Sequence, residues 1–189
     1  MNAPFRTFPQ PVKLTVADYL VLAEAGTFAE RRSVELVEGA LLEMNPQRRR
    51  HAHAKTELGY RISRCLRASG SPLGVLIDCT LALPPHSAPE PDIIVTSAPR
   101  GEGYATVQTT ALAVEVGDST VAYDLEEKSL LYARHLVPEY WVVALPEQAV
   151  HLFWSSDGLC YLERRIVLFG ETLASATIDK LSVATDGLI

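Results

Sequence analysis

The sequence predicts a mixed α/β fold. Two patterns carry that expectation: apolar residues recur at helical spacings of three and four in separate stretches, and short apolar runs bounded by glycine and proline read as strands between them. The composition agrees. With 189 residues, 48% apolar and 21% charged, the chain suits one globular domain over 1–189, with an extended, proline-bearing lead-in at 1–12.

The elements follow in order. Thr15 with Asp18 forms an N-cap signal, and Val16, Tyr19, Leu20 and Ala23 give a short amphipathic helix stopped near Gly26. Apolar runs on either side of Glu38-Gly39 predict a β-hairpin, with the glycine supplying the positive φ of the turn. Ala54, Leu58, Ile62, Cys65 and Leu66 predict a helix over 51–68, broken by Gly70, Pro72 and Gly74. Strands are expected at 74–77 and 80–83, then at 92–96 after a proline-rich connection, and at 110–116, where an apolar run reads as a buried strand. A helix over 123–136 ends at Val137-Pro138. Strands at 140–144 and 149–154, a hairpin at Asp157-Gly158 and a polar C-terminal stretch complete the chain.

Several classes are excluded. Disorder requires low hydrophobicity with high net charge, and no apolar run approaches the ~20 residues of a membrane span. No signal peptide is visible at the start, which points to a cytoplasmic protein. Cys65, Cys79 and Cys160 are odd in number and far apart, so they suggest neither a disulfide framework nor a zinc site and read as buried small hydrophobes. The net charge of −6 argues against a general nucleic-acid coat. Basic residues nevertheless concentrate at Arg48, Arg49, Arg50, Lys55, Arg61, Arg64 and Arg67, joined by His51 and His53.

Glu115 is the most informative residue. It interrupts Ala111-Leu112-Ala113-Val114-Glu115-Val116, where a buried carboxylate costs several kcal/mol unless paired or metal-bound. Asp92 opens another apolar strand directly after Pro91, so the two acids can meet at one end of a sheet, where a divalent cation relieves their repulsion. The alternative for each is an arginine pair or a turn cap. Lys128, thirteen residues after Glu115 on the next helix, can reach back to that pair or form a surface pair with Asp124. Glu35, between Val34 and Leu36, faces either solvent or a site. His51 and His53 point in different directions on a helix, so joint chelation is disfavoured, and phosphate contact or surface exposure is the better reading.

Taken together, Glu35-Leu-Val-Glu-Gly39, the basic segment at His51, Pro91-Asp92, Val114-Glu115-Val116, Asp118-Ser119-Thr120, Tyr123-Asp124, Lys128, Tyr132-Ala133-Arg134 and Val137-Pro-Glu-Tyr-Trp-Val-Val143 resemble the Uma-type restriction endonuclease family, a branch of the PD-(D/E)XK nuclease superfamily. The resemblance spans about residues 15 to 185. It implies a restriction-endonuclease-like core, a central mixed β-sheet flanked by helices, and a Mg²⁺ or Mn²⁺ site. Asp92 matches the Asp of the PD motif and Glu115 the second acid, with the Val116 carbonyl as a further ligand. The usual lysine two residues after that acid is Gly117 here, and Lys128 matches a lysine moved to the next helix. Glu35 matches an additional acid. Relatives often carry an acid where this chain has Ala144. The implied activity is hydrolysis of a DNA phosphodiester by a metal-activated water oriented by Lys128, with Arg48, Arg49, Arg50, His51 and Lys55 gripping flanking phosphates. A homodimer is a further implication, since related nucleases often cut both strands as dimers. The alternative is a catalytically idle nuclease-fold protein that binds nucleic acid or a protein partner.

Overall fold

The computed structural model describes residues 10–31 and 33–189; positions 1–9 of the expected lead-in lie outside them. A six-stranded mixed sheet with the order β10-β9-β8-β7-β5-β3 forms the centre. Its strands are β3 (Gly74–Ile77), β5 (Ile93–Thr96), β7 (Thr110–Gly117), β8 (Glu139–Ala144), β9 (Ala149–Ser156) and β10 (Tyr161–Leu168). Within this sheet only the β7–β8 pair is parallel. Parallel neighbours need a crossover, and residues 118–138 supply it as α3 (Val121–Tyr123), a π-helical turn (Asp124–Lys128) and α4 (Ser129–Arg134). The helix expected over 123–136 is therefore present but begins at Val121 and carries a π turn in its middle.

Two layers cover the sheet. The long helix α2 (Arg49–Ala68) packs Ala54, Leu58, Ile62 and Leu66 against Ile93, Val95, Val114 and Trp141. On the opposite face α4 packs Leu131 and Tyr132 against Ile94, Ala113, Tyr140 and Val142. The strict alternation of Leu112, Val114 and Val116 to one side and Ala113 to the other follows from the two-residue period of a strand. It fixes Glu115 on the α4 face.

Peripheral elements complete the chain. Helix α1 (Val16–Glu24) has the expected Thr15–Asp18 capping box. The predicted hairpin is β1 (Val34–Val37) with β2 (Ala40–Glu43), a separate two-stranded sheet whose turn uses positive φ at both Glu38 (52°) and Gly39 (85°). A Cβ at Gly39 would stand 2.6 Å from Lys13 Cβ, so glycine is required there twice over. The expected strand at 80–83 shortens to β4 (Leu81–Ala82), paired in parallel with β6 (Ala105–Thr106). The C-terminal stretch, expected to be merely polar, instead forms β11 (Thr172–Ala174) with β12 (Ser182–Ala184) and sends Leu173, Leu181, Val183 and Leu188 into the α2-side core. The cysteines differ from expectation as well: Cys160 is exposed and Cys65 and Cys79 are half-buried. No helix among the described residues is long and apolar enough to cross a membrane.

Glu139 ties the C-terminal segment to the sheet. Fully buried, its carboxyl accepts from Trp141 Nε1 at 2.6 Å, Ser175 Oγ at 2.6 Å, Thr177 Oγ1 at 2.7 Å, and the backbone N–H groups of Ala176 and Thr177 at 3.0 and 2.9 Å. Removing it strands the buried Trp141 indole N–H and takes the shared acceptor from the donors of Ser175, Ala176 and Thr177. Glu139→Ala is therefore expected to destabilise the fold by at least about 3 kcal/mol, or roughly 6–12 °C in Tm. Thermal melts check this; a variant melting within a degree or two of wild type would mean that the clamp is energetically idle.

Candidate active site

A cavity of about 410 Å³ opens where the carboxyl end of β7 meets the start of β5. The antiparallel register pairs Ile93 with Val114. One further step along both strands brings Asp92 opposite Glu115, on the same face. Both acids line the cavity, with exposures of 6% and 5%. Asp92 Oδ2 accepts from the Val116 N–H at 2.8 Å. The N–H and C=O of a strand residue project to the same side, so the Val116 carbonyl faces the same edge.

Lys128 enters from the crossover. A parallel β7–β8 pair forces the intervening helix back over the sheet, and the π turn ends on Lys128. Lys128 is 2% exposed; its Nζ lies 2.9 Å from Glu115 Oε1 and 3.1 Å from Glu35 Oε2, and donates to Glu35 Oε1 at 3.2 Å. Tyr132, four residues further on, donates to the same Glu115 Oε1 at 2.8 Å. The alternative of a surface pair with Asp124 is not realised, because both residues are buried. Glu35 is the further surprise: Val34, Glu35 and Leu36 are all buried, since β1 is covered on both faces although its partner β2 is largely exposed, and Glu35 faces the cavity.

Gly117 occupies the position two residues after Glu115. A Cβ there would meet Val121 Cγ2 at 2.8 Å and Asp124 Oδ2 at 3.1 Å. A lysine at 117 has no room, and the ammonium arrives instead from Lys128.

The basic segment divides. Arg48 and Arg49 are exposed at the start of α2, and Arg48 lines the cavity. Arg50 forms an ion pair with Asp118, its Nε 2.8 Å from Oδ2. His51 is turned inward rather than to the surface, with Nε2 3.2 Å from Asp92 Oδ2 and Nδ1 buried without a hydrogen-bond partner. Lys55 departs most from a phosphate grip. It is buried, donates to Asp78 Oδ1 at 2.7 Å and Gln47 Oε1 at 2.7 Å, and stands 3.5 Å from Asp92 Oδ1. Sequence reading also passed over Asp124 and Tyr132 as site residues. The helical spacing Asp124–Lys128–Tyr132 is their signal, because it puts all three on the face that meets β7.

Electrostatically the cavity is crowded with acid. Burial pushes the Glu115 carboxyl well above the ordinary carboxylate range, against the opposing pull of Lys128. Burial raises Asp124 to about 6, opposed by Lys128 and the Thr120 hydroxyl. Burial works against the charge of Lys128, but the Glu115 and Glu35 carboxylates outweigh it, and its pKa rises. The Tyr132 phenol is pushed up by burial and by Glu115, so it remains a donor.

Comparison with known proteins follows the geometry. The family Uma2, described as "Putative restriction endonuclease", matches residues 16–186. No curated protein matches the chain. Among solved structures, the 1.96 Å crystal structure of a "putative nuclease belonging to DUF820" from Anabaena variabilis ATCC 29413 superposes with a TM-score of 0.70 at 15% identity, covering 93% of this chain and 97% of that one. At that identity the likeness shows a shared fold, a mixed sheet flanked by helices. The family match covers nearly the whole chain, and the chain belongs to the Uma2 family.

Proposed function

We propose that this protein is a divalent-metal-dependent DNA endonuclease, with Asp92 and Glu115 as the ligands of Mg²⁺ or Mn²⁺ and Lys128 and Glu35 completing the catalytic set. The observation that supports it most is the convergence of Asp92, Glu115 and Glu35 on one cavity with a buried lysine between two of them.

The donor set fits a hard cation. Both hydrogen bonds to Glu115 fall on Oε1, which leaves Oε2 available, and Asp92 Oδ1 has only Lys55 at 3.5 Å. The Val116 carbonyl adds a third oxygen. Mg²⁺ keeps several waters and binds through one or two carboxylates. When bound, the ion supplies Lewis-acid polarisation of a phosphoryl oxygen and a more acidic water.

The chain's own residues do the rest. Lys128 keeps a fixed positive charge beside the reacting phosphate, where negative charge develops. Tyr132 and Lys128 together fix the Glu115 rotamer through Oε1. Arg48 and Arg49 are free to contact flanking phosphates from the N-terminus of α2. Buried Lys55 acts instead on Asp78 and Asp92.

Asp92→Asn and Glu115→Gln are expected to fold and to lose plasmid cleavage in Mg²⁺ or Mn²⁺ by at least about a hundredfold, roughly 3 kcal/mol of barrier. Cutting at the wild-type rate by either purified variant would remove that residue from the mechanism. DNA binding without cleavage by the wild-type protein would favour the catalytically idle alternative.

Lys128→Met leaves two buried carboxylates without their cation. Unfolding in urea without metal should show a loss of about 3–5 kcal/mol. Adding Glu35→Gln should recover part of it, because the two sites are coupled. Equal stability of wild type and Lys128→Met would place the ammonium outside this network.

Asp124 predicts a pH dependence. Its folded pKa of about 6 lies above the ordinary 3.8, so the folded state holds the proton more tightly. Its contribution to stability is full below 3.8 and is lost as pH rises through about 6. Asp124→Asn should therefore lose less stability than wild type between about pH 4 and 7, by a difference on the order of 3 kcal/mol. Parallel pH profiles of urea-derived stability for the two proteins would refute it.

A further inference from the structure

Helix α2 concentrates positive charge in an acidic chain. It carries six Lys and Arg against one acid, Glu57, while the chain as a whole has a net charge of −6. Three of the six are engaged locally: Arg50 pairs with Asp118, Lys55 with Asp78 and Arg61 with Glu57. Arg49, Arg64 and Arg67 are exposed and, among the described residues, form no ion pair.

Spacing puts these unpaired charges on one face. Arg49, His53, Tyr60, Arg64 and Arg67 follow one another at intervals of four, seven, four and three, the steps that keep side chains in line along a helix. All five are exposed. Their face is opposite the one that packs Ala54, Leu58 and Ile62 on the sheet. Beside them stand Ala52, Thr56 and Ser63, small residues that let a partner come close. Glu57 does not break the stripe, because it is half-buried and held by Arg61 at 2.8 Å. Soluble surfaces ordinarily intersperse both signs of charge. A face of one sign in an acidic chain is the complement of a polyanion.

The ridge starts at the cavity. Arg48 immediately precedes α2 and lines the cavity, and His51 reaches Asp92 from the first turn. From Arg49 to Arg67 the ridge runs roughly 27 Å along the helix axis. At 3.4 Å per pair, that is the length of about eight base pairs of duplex. A single strand fits less well, since single strands are held in grooves by stacked aromatic side chains. Here the surface is a convex ridge with one aromatic, Tyr60, whose ring already faces the Arg64 guanidinium at 6.0 Å. Rows of duplex phosphates are the better complement.

We propose that the outward face of α2 is a track for duplex DNA leaving the candidate active site, with Arg49, Arg64 and Arg67 contacting phosphates over about eight base pairs to one side of the cut. The track rests on the endonuclease reading for its partner and gives the bound duplex a direction.

Binding of the full chain to a fluorescent duplex of about 30 base pairs and mixed sequence tests this in EDTA, which stops metal-dependent cleavage. Arg64→Ala/Arg67→Ala should bind about tenfold or more weakly at about 0.1 M salt. Its slope of log affinity against log salt should be shallower by about 1.8, two phosphate contacts at about 0.9 each. Arg100→Ala/Arg134→Ala removes the same charge from exposed positions elsewhere and should keep the wild-type slope. Contact is read directly by a benzophenone attached through Arg67→Cys, with exposed Cys160 replaced by serine. It should cross-link to the duplex, and the same group attached through Arg134→Cys should not. Equal losses in the two double variants, an unchanged slope in the first, cross-linking from 134 but not 67, or a loss confined to a single strand of the same length would overturn the track. A wild type that binds no duplex would overturn the track and DNA as the substrate together. A wild type that binds and cuts duplex equally well without Arg64 and Arg67 would overturn the track alone.

Discussion

A single ammonium joins three parts of this fold that no sheet or helix joins. Lys128 comes from the crossover, Glu115 from the middle strand of the sheet, and Glu35 from a hairpin that forms its own two-stranded sheet. Each charge alone would be costly to bury, and each is acceptable only because the others are present. The hairpin's docking follows from this as much as from Leu36, since Glu35 cannot sit at 3% exposure without a cation beside it. The sheet register matters for the same reason: slipping β5 by one residue against β7 would turn Asp92 to the other face and empty the cavity of one acid.

The helix that carries Lys128 is shaped by closeness to β7. Gly117 lets Val121 and Asp124 approach the strand to a distance that any side chain at 117 would forbid. A π turn widens the helix at that point and keeps both Asp124 and Lys128 on the inward face, and such turns recur at functional sites. The absent lysine at 117 and the buried lysine at 128 are thus one structural fact. The space that would hold a side chain on the strand is taken by the helix that supplies it.

Much of this was legible in the sequence because burial and charge conflict openly there. Glu115 stands out in an apolar run, and Asp92 opens one, so both were identifiable without coordinates. The pattern failed where a residue's surroundings come from elements far away in the chain. Glu35 alternates with Val34 and Leu36 as though one face were wet, yet β1 is buried along both faces while its partner β2 stays largely exposed. Lys55 and His51 belong to a basic run that reads as a surface, but α2 turns both toward Asp92. Glu139 stands one position before the strand expected at 140–144 and carries no signal of its own. Its role depends on Ser175 and Thr177, more than thirty positions away, in a segment whose polar composition concealed that it packs on α2.

Charge balance around the cavity has a consequence for how a polyanion could be accommodated. Glu35, Asp78, Glu90, Asp92, Glu115, Asp118 and Asp124 line it, against Arg48, Lys128 and His51. Lys128 is already shared between two carboxylates, Asp118 is neutralised by Arg50 from outside and Asp78 by buried Lys55, which leaves more acids than cations. Burial raises the pKa of Glu90 as it does those of Glu115 and Asp124, the physical mark of acids held in a desolvated pocket. What remains still repels phosphate. On the endonuclease reading, a divalent cation at Asp92 and Glu115 therefore does two things at once: it supplies the chemistry, and it reverses the local sign of charge so that a phosphate can enter. Affinity for nucleic acid at the cavity is then conditional on the cation, while the exposed Arg48 and Arg49 act at the rim with or without it.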